Sequence, residues 1–130
     1  MKKALFILIP ALMFTTGLFA GDQKPVVKTL LKAVTAAHDD QEVIMSHIDI
    51  PPHTALPEHY HPGEEYVYVI RGSGIVRLKG EKTIEFKAGS VVKIPYEKIH
   101  SAKSGKEGFQ AVVFRLHKKG EPERILTAKK

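Results

Sequence analysis

The sequence predicts an all-β domain, either a sandwich or a small barrel. Short segments alternate apolar and polar residues with a period of two, turn residues separate them, and no long stretch after residue 21 has the helical period of 3.6 residues. The length of 130 residues suits one domain with one core. With 43% apolar and 26% charged residues, the composition is that of a folded domain and not of a disordered or coiled-coil chain. The absence of cysteine excludes disulfides and thiolate metal sites.

The first twenty residues have the pattern of a secretory signal peptide. Lys2 and Lys3 give a positive start, and the apolar run 4–14 is too short to cross a bilayer as a helix. The small residue Ala20 suits the cleavage position, although Leu18 is larger than usual two residues earlier. We therefore expect export to the periplasm or the medium, with no stable membrane anchor after cleavage; an uncleaved anchor is the alternative.

The net charge of +6 bears on the partners of the protein. A basic balance is compatible with nucleic acid or an anionic membrane surface. An exported protein rarely meets nucleic acid, so we expect no nucleic-acid partner. We expect a solvated basic surface that favours small acidic molecules.

The predicted strands follow one another along the chain and are rich in Val, Ile, Tyr and Phe, which are typical of strands. Their ranges are 26–32, 42–50, 65–71, 75–79, 83–87, 90–94 and 109–117. The turns between them are predicted at 51–52, 62–63, 72–74, 80–81, 88–89 and 104–105, where Gly, Pro and Ser cluster. An N-terminal strand and linker at 21–41 precede the main domain at 42–118. A charged C-terminal tail at 119–130 follows, with an edge strand expected at 124–127.

The alternation in 42–50 bears on the orientation of one histidine. Ile44, Ile48 and Ile50 form an apolar stripe, which we expect to face the interior, so that His47 faces out. The opposite orientation would bring His47 into the pocket. His117, at the end of the last main strand, is expected at the surface.

The strongest local signal is the segment 59–65, His-Tyr-His-Pro-Gly-Glu-Glu. In an extended chain His59 and His61 point to the same face. Glu65 can reach the same ion if the chain turns at 62–63, and it shares its face with Val67, whereas Glu64 points away. Imidazole nitrogen suits Mn, Fe, Ni, Cu and Zn, and an added carboxylate oxygen suits Fe and Mn. A surface histidine cluster is the alternative interpretation of this pair.

Two spaced motifs resemble those of the cupin superfamily, in particular small bacterial single-domain cupins of the quercetin-dioxygenase-like type. The first motif is His59-x-His61-x3-Glu65-x6-Gly72, and the second is Gly89-x5-Pro95-x4-His100. The resemblance extends over residues 42–118. Three positions depart from the usual pattern: His53 and Glu97 stand where glycine is usual, and Ser104 replaces an asparagine. Position 53 follows proline in a turn that favours a positive φ, which glycine adopts more easily than histidine.

The resemblance implies a jelly-roll β-barrel, also called a double-stranded β-helix. It also implies one divalent transition metal ion (Mn, Fe, Ni, Cu or Zn) held by His59, His61, Glu65 and His100. Adjacent open positions on the ion would take water, dioxygen or a chelating substrate.

The function implied by the resemblance is that of a metal-dependent enzyme of the dioxygenase, decarboxylase, isomerase or lyase type, acting on a small molecule. No catalytic residue is assigned from the motifs. Two alternatives stay open: a non-catalytic module that binds a metal ion or a small ligand, and a purely structural dimer unit.

A homodimer is expected, because a small jelly-roll barrel leaves sheet edges and outward apolar residues that need cover. The apolar run 26–31 is the candidate for exchange onto a partner's sheet, where it would cover the outward Tyr66 and Tyr68.

Overall fold

The computed structural model describes residues 23–127, so the predicted signal peptide at 1–20 lies outside the described residues. The prediction of an all-β fold is confirmed, since the described residues form eight strands and no helix. The strands are β1 (Val26–Val34), β2 (Gln41–Ile50), β3 (Ala55–Tyr60), β4 (Gly63–Leu78), β5 (Ile84–Lys87), β6 (Val91–Ile94), β7 (His100–Lys118) and β8 (Ile125–Leu126). Between residues 23 and 127, no helix is long and apolar enough to cross a membrane.

Two long strands, β4 and β7, form the frame of the jelly roll. They run antiparallel and pair from Gly63↔His117 to Leu78↔His100. β7 pairs with β2 through its C-terminal half and with β3 through its N-terminal half. β4 pairs with β6 near its start and with β5 near its end. The two strands therefore connect both layers of the barrel.

The predicted turns at 72–74 and 104–105 are wrong, because both lie inside these long strands. At Gly72 the backbone φ is 78°, and the pairing register shifts before Gly74, so β4 bends without ending. A Cβ atom at Gly72 would overlap the carbonyl oxygen of Gly108 on β7. Glycine at this position thus permits both the left-handed φ and the close contact between strands.

The interior face of each strand follows the alternation seen in the sequence. On β2, Ile44, Ser46, Ile48 and Ile50 are buried and His47 is partly exposed, so the expected orientation of this strand is confirmed. The core continues across the barrel as a cluster of apolar side chains: Ile48, Ile50, Val69, Val76, Leu78, Phe86, Val92, Ile94, Phe109, Ala111 and Val113. Apolar burial of this kind is the main stabilising contribution to the fold.

The expectation that His117 lies at the surface is wrong, since its side chain is 1% exposed. It shares the interior face of β7 with Val113. After β7 the chain turns back, and Nε2 of His117 donates to the carbonyl oxygen of Pro122 at 3.2 Å. Nδ1 lies 3.5 Å from the carboxylate of Glu42. The returning chain buries a position that the strand pattern alone places at the end of the sheet.

The loops that depart from the motif pattern keep the backbone shape typical of glycine. The φ angles of His53 and Glu97 are 53° and 52°, so the positive φ expected at position 53 is confirmed. Such a conformation costs a non-glycine residue about 1 kcal/mol. Ser104 closes the first of these loops: its Oγ donates to the carbonyl oxygen of Pro51 at 2.5 Å and accepts from the amide of Thr54 at 2.8 Å.

Candidate metal centre

Three buried histidines converge at one end of the barrel interior. His59 on β3 and His100 on β7 are directly paired across the two strands. His61 lies two residues after His59, so its side chain points to the same face. Potential ligand nitrogens of the three rings all lie within 4.8 Å of one another. This arrangement could hold a metal ion.

The backbone orients all three imidazole rings in the same way. Nδ1 of His59 donates to the carbonyl oxygen of Pro57, and Nδ1 of His100 donates to that of Lys98, each at 2.8 Å. Nδ1 of His61 donates to the carbonyl oxygen of Glu123. Because a carbonyl oxygen can only accept, Nδ1 carries the hydrogen in each ring and Nε2 is left with a free lone pair. Each ring therefore has Nε2 available for a metal ion.

Glu65 contacts one histidine of this cluster, whereas Glu64 lies on the opposite face of the strand. Among the described residues, the group whose ligand atoms all lie within 4.8 Å of one another comprises the three histidines without Glu65. Glu65 is buried, with Oε2 located 3.1 Å from Nε2 of His61. Glu64 lies on the outer face, where it accepts from the hydroxyl of Tyr66 at 2.5 Å and lies 3.3 Å from Nζ of Lys93. The strand register predicted for the two glutamates is therefore confirmed. The role of Glu65 as a metal ligand stays a prediction.

The contact between His61 and Glu65 is a test of whether these residues suit a metal ion. Nε2 of His61 is buried, and no described residue forms a hydrogen bond with it. A neutral imidazole lone pair and a carboxylate oxygen 3.1 Å apart repel each other unless a cation lies between them. A proton or a metal ion can fill that role. Three imidazole nitrogens with a carboxylate oxygen form a donor set that suits Mn, Fe, Ni, Cu or Zn.

The charge states at neutral pH also suit a metal ion. Burial lowers the pKa of His59 to about 4 and lowers the pKa of His100 below its usual value. Both rings are therefore neutral at pH 7, which is the form that binds metals. Burial by itself raises the pKa of Glu65, but its contact with His61 and the nearby guanidinium of Arg115 outweigh burial and lower this pKa to about 2.

Arg115 is a partner of the site that the sequence did not identify. It lies on β7 opposite Glu65 on β4, and its Nε donates to Oε2 of Glu65 at 2.6 Å. Its side chain is 11% exposed, and its Nη1 lies 3.6 Å from the carboxylate of Glu123. The signals in the sequence were its cationic side chain, a potential anion binder, and its position two residues after Val113 on the interior face of the strand.

The C-terminal segment 121–127 was also missed as part of the site. The edge strand expected at 124–127 is present as β8, and it pairs with β3 at His59↔Leu126 and Tyr60↔Ile125. The same segment provides the carbonyl oxygen of Glu123 that accepts from His61, and the Glu123 carboxylate near Arg115. No motif in the sequence indicates these contacts.

A cavity of about 60 Å³ lies beside the histidines inside the barrel. Nine of its twelve lining residues are apolar, and the other three are His59, Glu65 and His100. Leu56, Val67 and Ala102 line it while remaining partly exposed to solvent. The polar atoms at this cavity are thus concentrated at the candidate metal centre.

Comparison with known proteins identifies related sequences and folds. The family described as "Cupin domain" matches residues 46–115. A curated relative, the tetracenomycin polyketide synthase protein TcmJ of Streptomyces glaucescens, is 44% identical over 39 residues. That match spans 29% of this chain and 26% of the relative, so only about a quarter of the relative's length is represented.

Two solved structures have a similar fold. One is an uncharacterized conserved protein with a double-stranded β-helix domain from Klebsiella pneumoniae, with a TM-score of 0.63, 22% identity, and coverage of 83% of this chain and 88% of that one. The other is the DMSP lyase DddQ from Ruegeria pomeroyi, with a TM-score of 0.63, 19% identity, and coverage of 80% and 52%. At these identities the likeness shows the double-stranded β-helix fold alone.

Proposed function

This chain belongs to the cupin family, and on that premise we propose that it is a metal-dependent enzyme acting on a small molecule. One divalent transition metal ion would be held by His59, His61 and His100, with Glu65 as the fourth ligand. The observation that carries the proposal is the shared orientation of the three rings, in which every Nδ1 donates to a backbone carbonyl oxygen. When bound, the ion supplies Lewis-acid or redox activation of a ligand in the adjacent cavity.

Glu65 contributes charge and orientation in this proposal, not proton transfer. Its pKa of about 2 makes it a weak base at neutral pH. The hydrogen bond from Arg115 fixes the carboxylate next to His61, so that its oxygen faces the place where the ion would bind. The reaction belongs to the dioxygenase, decarboxylase, isomerase or lyase type, and the lyase DddQ is one enzyme with a similar fold.

A non-catalytic module that binds a metal ion or a small ligand is the second candidate. The observation in its favour is the cavity wall, where the described residues include no acid or base other than three of the four proposed ligands. Without a further proton donor or acceptor, a reaction must rely on the metal ion and on solvent. Oxygen consumption or product formation with a panel of substrates distinguishes the enzyme from the binding module.

Metal titration of the chelator-treated protein tests the proposed site. We expect about one Mn, Fe, Ni, Cu or Zn ion per chain by elemental analysis, and a higher melting temperature on addition of the ion, since it binds the folded state. The His100→Ala protein should lose the ion. The His47→Ala protein is the matched control, because His47 lies on the outer face of β2, and it should keep the ion. If the wild-type protein takes up none of these metals, the proposed function is wrong.

Export and self-association complete the proposal. The signal-peptide pattern at 1–20 supports export to the periplasm or the medium. β1 supports a homodimer, because Val27, Leu30 and Leu31 are about half exposed on an edge strand that pairs only with β2 in the described part of the chain. Beside it, the outer face of the sheet exposes Tyr68 and Phe114. Light scattering tests this part: a monomeric mass at micromolar concentrations would contradict the homodimer.

A further inference from the structure

The wall of the cavity narrows the substrate class of the proposed enzyme. We infer that its ligand is a small organic acid with a metal-chelating head and a short, uncharged, apolar body. This inference rests on the proposed function, since the head would bind the metal ion.

Apart from His59, Glu65 and His100, the cavity wall offers a ligand only apolar contacts. This part of the wall is lined by apolar side chains such as Leu56, Phe86 and Phe109. The described lining residues include no lysine, arginine, serine, threonine or amide side chain. Burying a hydroxyl or charged group without a hydrogen-bond partner is costly, whereas burying methylene groups is favourable. The wall therefore disfavours sugars, phosphate esters and dicarboxylic acids, and it favours aliphatic or aromatic carbon.

The cavity volume limits the size of the ligand body. The cavity measures about 60 Å³. A site for one water molecule needs roughly 10–15 Å³ of such cavity volume, so this cavity accommodates about four to six water-sized groups. A branched C4 body meets this limit.

The charge balance favours an anionic head. The three imidazoles are neutral ligands when they bind a metal ion, and the negative charge of Glu65 is already paired with Arg115 at 2.6 Å. The second carboxylate at Arg115 is that of Glu123, which is 39% exposed and does not line the cavity. A divalent ion would thus add positive charge to a buried site with little compensation from the protein. A ligand carboxylate with an adjacent oxygen would supply the missing negative charge.

Calorimetry with two 2-oxo acids on the zinc-loaded protein tests the inference. Zinc undergoes no redox chemistry, so affinity is measured without oxidative turnover. 4-Methyl-2-oxopentanoate and 2-oxoglutarate share the chelating head, but the first has a branched apolar body and the second a charged one. We expect the apolar acid to bind at least about ten-fold more tightly.

Two variants localise the effect to the cavity. Leu56→Lys adds a positive charge to the wall that can pair with the distal carboxylate of 2-oxoglutarate, and should reduce the preference to less than about two-fold with zinc stoichiometry unchanged. Val91→Lys adds the same charge to the outer face of β6, where Val91 is 70% exposed, and should keep the preference. If Leu56→Lys does not fold, the comparison of the two acids on the wild-type protein decides alone.

The outcomes separate the inference from the proposed function. Zinc binding with equal affinity for the two acids, or with no binding of either, overturns the inferred substrate class and leaves the metal site standing. Absence of zinc binding overturns the proposed function and this inference with it.

Discussion

Replacing Glu65 by Gln separates the role of this carboxylate in metal binding from its role in the fold. The change keeps the size of the side chain and one oxygen that can accept from Arg115, but it removes the negative charge. Arg115 is 11% exposed and lies 2.6 Å from Glu65, so the variant leaves a guanidinium largely buried, whose remaining ion pair among the described residues is with Glu123 at 3.6 Å.

The structure sets the expected magnitude of each effect. Removing one partner of a buried ion pair costs about 3–5 kcal/mol of unfolding free energy. Because glutamine still accepts a hydrogen bond and Glu123 offsets part of the charge, we expect about 2 kcal/mol for Glu65→Gln. Zinc affinity should fall by about ten-fold or more, at least as much as the loss of a group that supports a metal ligand.

The assays are urea unfolding of the metal-free protein and zinc affinity by competition with a chelator. Glu64→Gln is the matched control, since Glu64 lies one residue away on the outer face and contacts Tyr66 and Lys93. Both quantities should remain almost unchanged in it. If Glu64→Gln weakened zinc binding and Glu65→Gln did not, the assignment of the inward face of β4, and with it the proposed ligand set, would be refuted.

Three other predictions test the C-terminal segment, the strand crossing and the pH response. Ile125→Pro removes a backbone donor from β8 and should weaken zinc binding about ten-fold or more, because β8 belongs to the segment that holds His61. Strand content by circular dichroism should stay unchanged. Ile125→Val is the control, and equal zinc affinities of the two variants would argue that this segment does not position His61. Gly72→Ala should lower the unfolding free energy, measured by urea titration, by about 2–4 kcal/mol, because its Cβ would overlap the carbonyl oxygen of Gly108. Gly80→Ala is the control: a Cβ there has open space around it, so this variant should lose less unfolding free energy. The metal-free protein should lose stability as the pH falls from 6.5 to 4, since the unfolded state takes up a proton at His59 before the folded state does. It should lose more from pH 4.5 to 2, because Glu65 is likewise protonated first in the unfolded state. Stability that rose on acidification in this range would contradict the neutral, buried histidine and the ionised Glu65.

The directions of the side chains in the site could be predicted from the sequence because they depend on local geometry. In an extended chain the side chains alternate between two faces, whatever lies around them. That rule alone separates Glu65 from Glu64 and places His59 and His61 on one face. It also orients β2 with Ile44 inward and His47 outward. His100 lies on another strand, so only the resemblance to a known family connected it with the other two histidines.

The ends of the strands and the partners across the barrel were decided by the tertiary structure. Glycine at 72 is compatible with a turn or with a bend inside a strand, and the carbonyl oxygen of Gly108 on β7 decides for the bend. His117 is buried and His61 finds its carbonyl acceptor because the chain turns back after β7 and β8 pairs with β3. Arg115 meets Glu65 because β7 runs beside β4. Alternation is a property of the extended backbone, whereas these contacts join distant parts of the chain and exist only once its path in space is set.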